Sequence, residues 1–322
     1  MTLIFDTGRT KIQRRLVCIC WTALIFMVGS WGLSLPLAAA GQEIAILRSS
    51  DLHAYTETIK GFKATAPGSA TYVEYDLRGD IERGKQIARN LRDGHASLVV
   101  AVGLKAAQVA QSEITGLPVL YMMVVNPLHH NLTADNMTGI LLEIPADRQF
   151  TILRTFLPNL RRIGVLYDPS TSDSRVQDAA LQAATHQFQL RGFPVHSGKE
   201  TPQQLRTLLS ESDALWLIPD STVLTNESIR FILESALSKD VPVIGFSPEL
   251  TRMGALLSLS ISYSEVGRET GRLAKRILNH DTRLPLKPVP VEHVRLTVNM
   301  KTARYLGITI PKELETLIDE AY

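Results

Sequence analysis

Apolar residues along the chain recur in two patterns, short continuous runs and longer stretches with helical spacing. From Glu43 onward, runs such as EIAILR and SLVVAV alternate with amphipathic stretches such as IERGKQIARNLR, which Asp80 is expected to cap and Gly94 to end. Strands that are apolar through their middle and alternate with helices are typical of parallel sheets covered on both faces. The pattern therefore predicts an α/β fold.

The strand–helix alternation starts a second time near the middle of the chain. The two repeats run from about Glu43 to Leu142 and from about Glu143 to Ile261, which predicts two similar lobes. In the second repeat the spacing predicts one long helix over residues 173–192. An amphipathic helix, SEVGRETGRLAKRIL, follows the repeats, and then a strand and a last helix. No Gly/Ser-rich linker separates the lobes, which favours several crossovers over one tether.

One apolar run ends on unusually polar residues. Val119 to Val125 predicts a buried strand whose tip is Asn126, and Pro127, which lacks an N–H, is expected to stop further pairing. His129 and His130 follow at once. Adjacent residues of an extended segment point apart, and no third metal ligand lies nearby in the sequence, so we expect a solvated loop here.

The first forty residues have the pattern of a secretory signal. Basic residues at positions 9, 11, 14 and 15 precede an uncharged run, Leu16 to Ala40, that ends in small residues. This pattern predicts a signal peptide over residues 1–40, cleaved after Ala40, and an exported, periplasmic mature protein. The run is also long enough to span a bilayer, so an uncleaved membrane anchor is the alternative.

Cysteine usage and charge narrow the possible functions. Both cysteines, Cys18 and Cys20, lie in the predicted signal, so we expect no disulfide, thiolate metal site or cysteine nucleophile in the mature protein. Without the four basic residues and the single aspartate of the signal, the totals of 34 Lys and Arg and 32 Asp and Glu fall to 30 and 31. This near-neutral balance gives no electrostatic footprint for nucleic acid.

Polar, small and aromatic residues follow nearly every predicted strand. In open parallel sheets, ligands bind beyond the carboxyl ends of the strands, where free backbone N–H groups also lie. Two such edges that face each other are expected to enclose a small polar molecule. Ser, Asp, Thr and Asn are also ordinary helix-capping residues, so capping alone stays the alternative for each of them.

Known catalytic motifs do not occur in the sequence. GFSPE lacks the second glycine of a nucleophile elbow, and neither H-E-x-x-H nor G-x-x-x-x-G-K-[ST] is present. Asp168 and Asp220 are the candidates for a pair of hydrolytic carboxylates, but the sequence does not fix their separation. We therefore expect no catalytic residue, no metal and no cofactor. Tyr263 and Trp216 are interpreted as packing residues.

Several segments resemble one known family in their order and spacing. They are VVAVGLKAAQVAQ, PVLYMMVVNPL, RRIGVLYDPSTSDS, DALWLIPDSTV and PVIGFSPELTRMG, within a match over about Ile44 to Leu317. The chain resembles the ABC-transporter substrate-binding family with the type I periplasmic-binding-protein fold, whose better-known members bind tryptophan and other aromatic amino acids. The resemblance implies two Rossmann-like lobes with parallel sheets joined by three crossovers, a ligand in the cleft between them, and no catalysis. It also implies that lobe 1 comprises residues 43–142 and 262–288, and lobe 2 residues 143–261 and 289–322.

Carried over by position, the resemblance implies a set of cleft residues. They are Ser49, Ser50, Tyr55, Gly103, Leu104, Val125 and Asn126 in lobe 1, and Tyr167, Ser170, Asp220, Ser221, Thr222, Phe246 and Ser247 in lobe 2. The family often has Gly-Thr or Gly-Ser in place of Gly103-Leu104, and Asp-Pro in place of Asn126-Pro127. Lobe 1 thereby lacks a hydroxyl and a carboxylate. Because a buried ammonium group needs a carboxylate partner, Asp220 is the candidate for that role, and a neutral or anionic solute is favoured otherwise.

These observations predict an exported solute-binding protein of an ABC importer, which closes two lobes over an amino acid or another small polar or aromatic solute. Its expected partners are that solute and an ABC permease in the inner membrane, and we expect a monomer. A periplasmic subunit that reports ligand binding to a membrane receptor or sensor kinase has the same cleft and stays open as an alternative. A hydrolase is a third possibility, whereas a sugar-responsive repressor conflicts with the export signal and the missing DNA-binding helices.

Overall fold

The computed structural model describes residues 42–280 and 287–322, and the predicted signal peptide lies outside these ranges. The first elements in chain order are β1 (Glu43–Arg48), α1 (His53–Thr65), β2 (Thr71–Asp76), α2 (Ile81–Arg92), β3 (Ala96–Val102), α3 (Leu104–Glu113), β4 (Val119–Met122) and β5 (Met137–Leu141).

The next group of elements comprises α4 (Ala146–Phe156), β6 (Arg162–Tyr167), α5 (Pro169–Thr185), β7 (Gln189–Pro194), α6 (Thr201–Glu211), β8 (Ala214–Trp216), α7 (Asn226–Leu237), β9 (Val243–Gly245), α8 (Pro248–Arg252) and β10 (Leu257–Ser260). The last group comprises α9 (Tyr263–Leu278), β11 (Val289–Pro290), β12 (Arg295–Val298), α10 (Met300–Tyr305), α11 (Lys312–Glu315) and β13 (Glu320–Ala321).

The strands form two sheets, and each sheet is the centre of one lobe. The first has the order β11-β5-β4-β3-β1-β2 with parallel pairs throughout. The second has the order β13-β12-β10-β9-β8-β6-β7, and there only β12 runs antiparallel to its neighbour β10 among the described pairs. Apolar cores lie on both faces of each sheet. The predicted two-lobed α/β fold with mostly parallel sheets is confirmed.

The chain passes between the two lobes three times, at residues 142–145, 261–262 and 291–294. The second crossover is the shortest, since only Ile261 and Ser262 separate the end of β10 from the start of α9. Two residues span at most about 10 Å. The start of α9 in the first lobe therefore lies close to the carboxyl edge of the second sheet.

Helix α9 packs in parallel against α1. A Cβ atom on Gly267 would lie 1.9 Å from the backbone oxygen of Thr58, and one on Gly271 would lie 2.3 Å from Oγ1 of Thr65. From the first contact to the second, the residue numbers rise along both helices, so the helices are parallel and their N-terminal ends lie on the same side. Because α1 starts at the carboxyl end of β1, the start of α9 lies at that same edge. The short second crossover thus holds the carboxyl edges of the two sheets next to each other.

The structure differs from the sequence predictions in three places. Strand β4 ends at Met122 rather than Val125, because Met123 has a positive φ of 61° that turns the backbone out of the sheet. The helix expected over residues 173–192 ends at Thr185, and its last residues belong to the edge strand β7. The lobe boundary expected at residue 289 lies slightly later, since β11 pairs with β5 of the first sheet.

The described helices include none that combines the length and apolar character needed to cross a membrane.

Candidate functional site

The expected cleft residues lie at the carboxyl edges of the two sheets. In the first sheet they follow the neighbouring strands β1, β3 and β4, and in the second they follow β6, β8 and β9. Tyr55 is the exception, since it lies in the first turn of α1. The second crossover brings these two edges close to each other.

Ser49 connects the end of β1 to the first turn of α3. Its hydroxyl donates a hydrogen bond to the backbone oxygen of Val102 at 3.0 Å and accepts one from the N–H of Ala106 at 2.9 Å. The side chain is buried. Ser49 therefore positions the strand ends, whereas its neighbour Ser50 is only partly buried and makes no side-chain hydrogen bond within the described residues.

Gly103 makes room for the ring of Tyr55. Its φ of +86° lies in the left-handed region, and an added Cβ would lie 2.3 Å from the Tyr55 hydroxyl and 2.8 Å from Oγ of Ser49. The Tyr55 hydroxyl thus rests on the backbone between β3 and α3. Burial raises the pKa of Tyr55 above its usual value, so at neutral pH this hydroxyl stays protonated and can donate a hydrogen bond.

The loop after β4 presents side chains outward. Val125 is 61% exposed and Asn126 is exposed with a φ of 47°. His129 is exposed and His130 partly so, with ring centroids 5.6 Å apart. In the described part of the chain, no group of three or more His, Cys, Asp or Glu side chains is arranged to hold a metal ion.

Asp220 is saturated by donors of its own lobe. One carboxylate oxygen accepts the N–H of Asp168 at 2.9 Å and the hydroxyl of Ser172 at 2.8 Å. The other accepts the N–H groups of Thr222 at 3.0 Å and Val223 at 3.3 Å. The residue is 5% exposed. Asp220 therefore fixes the loop after β8 against the start of α5, and its lone pairs are occupied.

Asp168 completes this network. Its carboxylate accepts the N–H of Ser170 at 2.9 Å, the hydroxyl of Ser170 at 2.7 Å and the hydroxyl of Thr222 at 2.7 Å. The Thr222 and Ser170 hydroxyls, with the Ser170 N–H, hold the pKa of Asp168 below its usual value. The two carboxylates considered as a hydrolytic pair are thus neighbours, and both accept hydrogen bonds within one capping network.

The other expected residues of the second lobe differ in their burial. Tyr167 is buried, donates to Asp173 at 3.3 Å, and a Cβ on Gly192 would lie 2.7 Å from its ring. Phe246 is half-buried against the core beneath it, and Ser247 begins α8. Ser221 is exposed on the turn after β8. Of these residues, Ser221 is exposed, and Phe246 and Ser247 are partly buried.

Tyr263 is a residue at this edge whose environment the sequence did not indicate. It is 49% exposed at the first position of α9, directly after the second crossover. The interpretation of Tyr263 as a packing residue is wrong, whereas Trp216 is buried and donates its ring N–H to Gln149 at 3.2 Å. The sequence did contain one indication of this environment, because Tyr263 lies between a strand and an amphipathic helix, where ligand-binding residues are expected.

The two sets of edge residues do not touch through polar groups. Across residues 42–280 and 287–322, no hydrogen bond or ion pair joins an expected cleft residue of one lobe to one of the other lobe.

Comparison with known proteins agrees with this architecture. The sequence model of the ABC transporter substrate binding protein family matches residues 44–321. A tyrosine-binding protein of Clostridioides difficile is 21% identical over 258 residues, which cover 77% of this chain and 73% of that protein.

Two solved structures share the fold. A ligand-free, open structure of a Clostridium difficile substrate binding protein with adhesive properties is 23% identical, with a TM-score of 0.69 over 87% of this chain and 98% of that one. A Streptococcus pneumoniae ABC domain in complex with L-Trp is 25% identical, with a TM-score of 0.52 over 87% of this chain and 100% of the other.

Proposed function

Because the chain belongs to the family of ABC transporter substrate binding proteins, we propose that it is the exported solute-binding component of an ABC importer. The observation that carries this proposal is the two-residue second crossover, which holds two polar strand edges beside one gap. A small molecule in that gap touches both lobes. Proteins of this family bind solutes rather than catalyse reactions, and we propose no catalytic role for this chain.

The proposed mechanism is a shift between open and closed arrangements of the lobes. A solute that contacts both edges makes more contacts when the lobes approach, and this difference in affinity stabilises the closed state. The saturated carboxylates Asp168 and Asp220 keep the second edge rigid, so closure brings together two preformed surfaces. The closed form then presents itself to a permease in the inner membrane.

The residues proposed to line the gap are those expected from the sequence, with different roles. Tyr55, Asn126, Ser221 and Ser247 present polar groups to the solute, while Ser49 and Asp220 hold the strand ends in place. The remaining expected residues form the walls. Since relatives include a tyrosine-binding protein and a complex with L-Trp, we propose an amino acid or another small polar or aromatic solute.

Export rests on the sequence of residues 1–40, with their basic start, apolar run and small residues before the expected cleavage site. We propose that the mature chain is periplasmic and monomeric.

The proposed function is tested by mass spectrometry of small molecules released from the gently purified protein, followed by small-angle scattering with and without the released molecule. We expect a released solute that reduces the radius of gyration and raises the melting temperature. The proposal is contradicted if no metabolite of a broad panel, including the released molecules, changes the radius of gyration or the melting temperature.

A further inference from the structure

Tyr55 and Tyr263 both lie in the first turn of the two parallel helices of the first lobe. Tyr55 precedes the buried Thr58 of α1 by three residues, and Tyr263 precedes the buried Gly267 of α9 by four. Thr58 and Gly267 are in direct backbone contact, since a Cβ on the glycine would lie 1.9 Å from the threonine oxygen. Each tyrosine therefore lies on the buried stripe of its helix, one turn before the contact between Thr58 and Gly267.

The direction of helical side chains places both rings over the edge of the sheet. Side chains on an α-helix point toward its N-terminus, and α1 and α9 both start at the carboxyl edge of the first sheet. The Tyr55 hydroxyl reaches Gly103 at the end of β3, since it would lie 2.3 Å from a Cβ added to that glycine. Tyr263 starts directly at the second crossover and is 49% exposed. Its ring is therefore partly open to solvent at the point where the chain enters the first lobe.

The surroundings of Tyr263 do not explain its presence by packing. Within the described residues it belongs to none of the apolar cores and its hydroxyl makes no hydrogen bond to the chain. By contrast, Val266 and Thr270 on the same face of α9 are fully buried. An aromatic ring that continues a buried stripe and is itself half exposed leaves apolar surface uncovered.

We propose that Tyr263 is a ligand-contact residue, and that Tyr263 and Tyr55 together form an aromatic wall on which a planar group of the solute stacks. This inference rests on the proposed function. Aromatic rings attract one another in offset or edge-to-face arrangements beyond the effect of the area they bury. Because Tyr263 adjoins the crossover, it lies at the base of the gap, where a bound solute contacts it before the lobes close.

The test compares Tyr263→Leu, which removes the ring, with Tyr263→Phe, which keeps it. Tyr305→Leu is the matched control, because Tyr305 is 63% exposed on α10 in the second lobe, away from the gap. The probes are L-tyrosine, L-tryptophan, L-leucine and D-ribose, with binding measured by titration calorimetry and by melting temperature. We expect the full-length protein to bind an aromatic probe about tenfold more weakly after Tyr263→Leu, and within about threefold after Tyr263→Phe. Tyr305→Leu is expected to leave the affinity unchanged.

Two outcomes overturn the aromatic wall. One is a Tyr263→Leu variant that binds the aromatic probe as tightly as the unaltered protein. The other is an unaltered protein that binds only leucine, ribose or a co-purified solute without a planar group. That second outcome overturns the aromatic wall and leaves the proposed function intact. If neither a probe nor a co-purified molecule binds and compacts the protein, the proposed function itself fails, and this inference fails with it.

Discussion

The carboxylate of Glu269 in α9 accepts the backbone N–H of His293 in the third crossover at 2.9 Å. The same buried carboxylate also accepts the N–H of Glu292, at 3.0 Å from the nearer oxygen. The His293 ring in turn lies 3.3 Å from the Asp319 carboxylate, beside β12 of the second lobe. Residue 293 therefore contacts both lobes, and we expect bending of the third crossover to be confined to residues 293–294.

The change Glu269→Gln is expected to lower the free energy of unfolding by about 1–3 kcal/mol. The charged acceptor is lost, and the amide NH2 of the new glutamine faces a backbone N–H group that is itself a donor. The measurement is urea denaturation. Glu292→Gln is the matched control, since that side chain is exposed one residue before His293. Equal stability of the two variants contradicts a structural role for the Glu269 carboxylate.

Gly103→Ala is expected to destabilise the protein more than Gly116→Ala. Both glycines have a positive φ, of +86° and +82°, so both substitutions strain the backbone. Only Gly103 also faces the Tyr55 hydroxyl at 2.3 Å, whereas nothing lies within 4 Å of a Cβ at Gly116. The measurement is thermal unfolding of both variants, and equal melting temperatures contradict a close contact between Tyr55 and Gly103.

Asp220→Asn is expected to reduce stability by about 1–3 kcal/mol, because the new amide group faces N–H and hydroxyl donors that are already buried. The exposed Asp178 on α5 provides the control, as Asp178→Asn. The measurement is chemical denaturation at neutral pH. If Asp220→Asn unfolds like the control, the network around this carboxylate does not stabilise the second edge.

The hydrogen bonds to Asp168 predict that the stability of the protein depends on pH. Because the Thr222 and Ser170 hydroxyls lower its pKa in the folded protein, its contribution is fully present above the unfolded pKa of about 3.9. That contribution is lost as the pH falls through the lower, folded pKa. The stability difference between the unaltered protein and Asp168→Asn should therefore shrink on going from about pH 6 to about pH 3. A difference that stays constant over this range contradicts the assigned cause.

The sequence predicted the fold well because its signals are local. Apolar runs and helical spacing are properties of neighbouring residues, and they located most strands and helices. The end of β4 was missed because the apolar run continues to Val125, while the turn at Met123 depends on backbone geometry. Strand β7 was missed because its apolar residues, Leu190 and Phe193, continue the spacing of the helix before it.

The site was only partly predictable because its hydrogen bonds join residues far apart in the sequence. Asp220 was considered a partner for a ligand ammonium group, yet its acceptors are taken by Asp168 and Ser172, about fifty residues earlier. Residue type alone does not show whether a carboxylate is occupied. In the same way, the exposure of Tyr263 depends on how α9 packs against α1.

The most direct test of the account is a distance measured across the gap. Because both native cysteines lie in residues 1–40, a mature chain carrying Leu128→Cys and Lys199→Cys takes spin labels only at these two exposed positions. Both follow strands at the facing edges, one in each lobe, and neither is proposed to contact the solute. The account predicts that a saturating co-purified solute shortens the distance between the labels. A distance that stays the same while the solute demonstrably binds contradicts closure of the lobes.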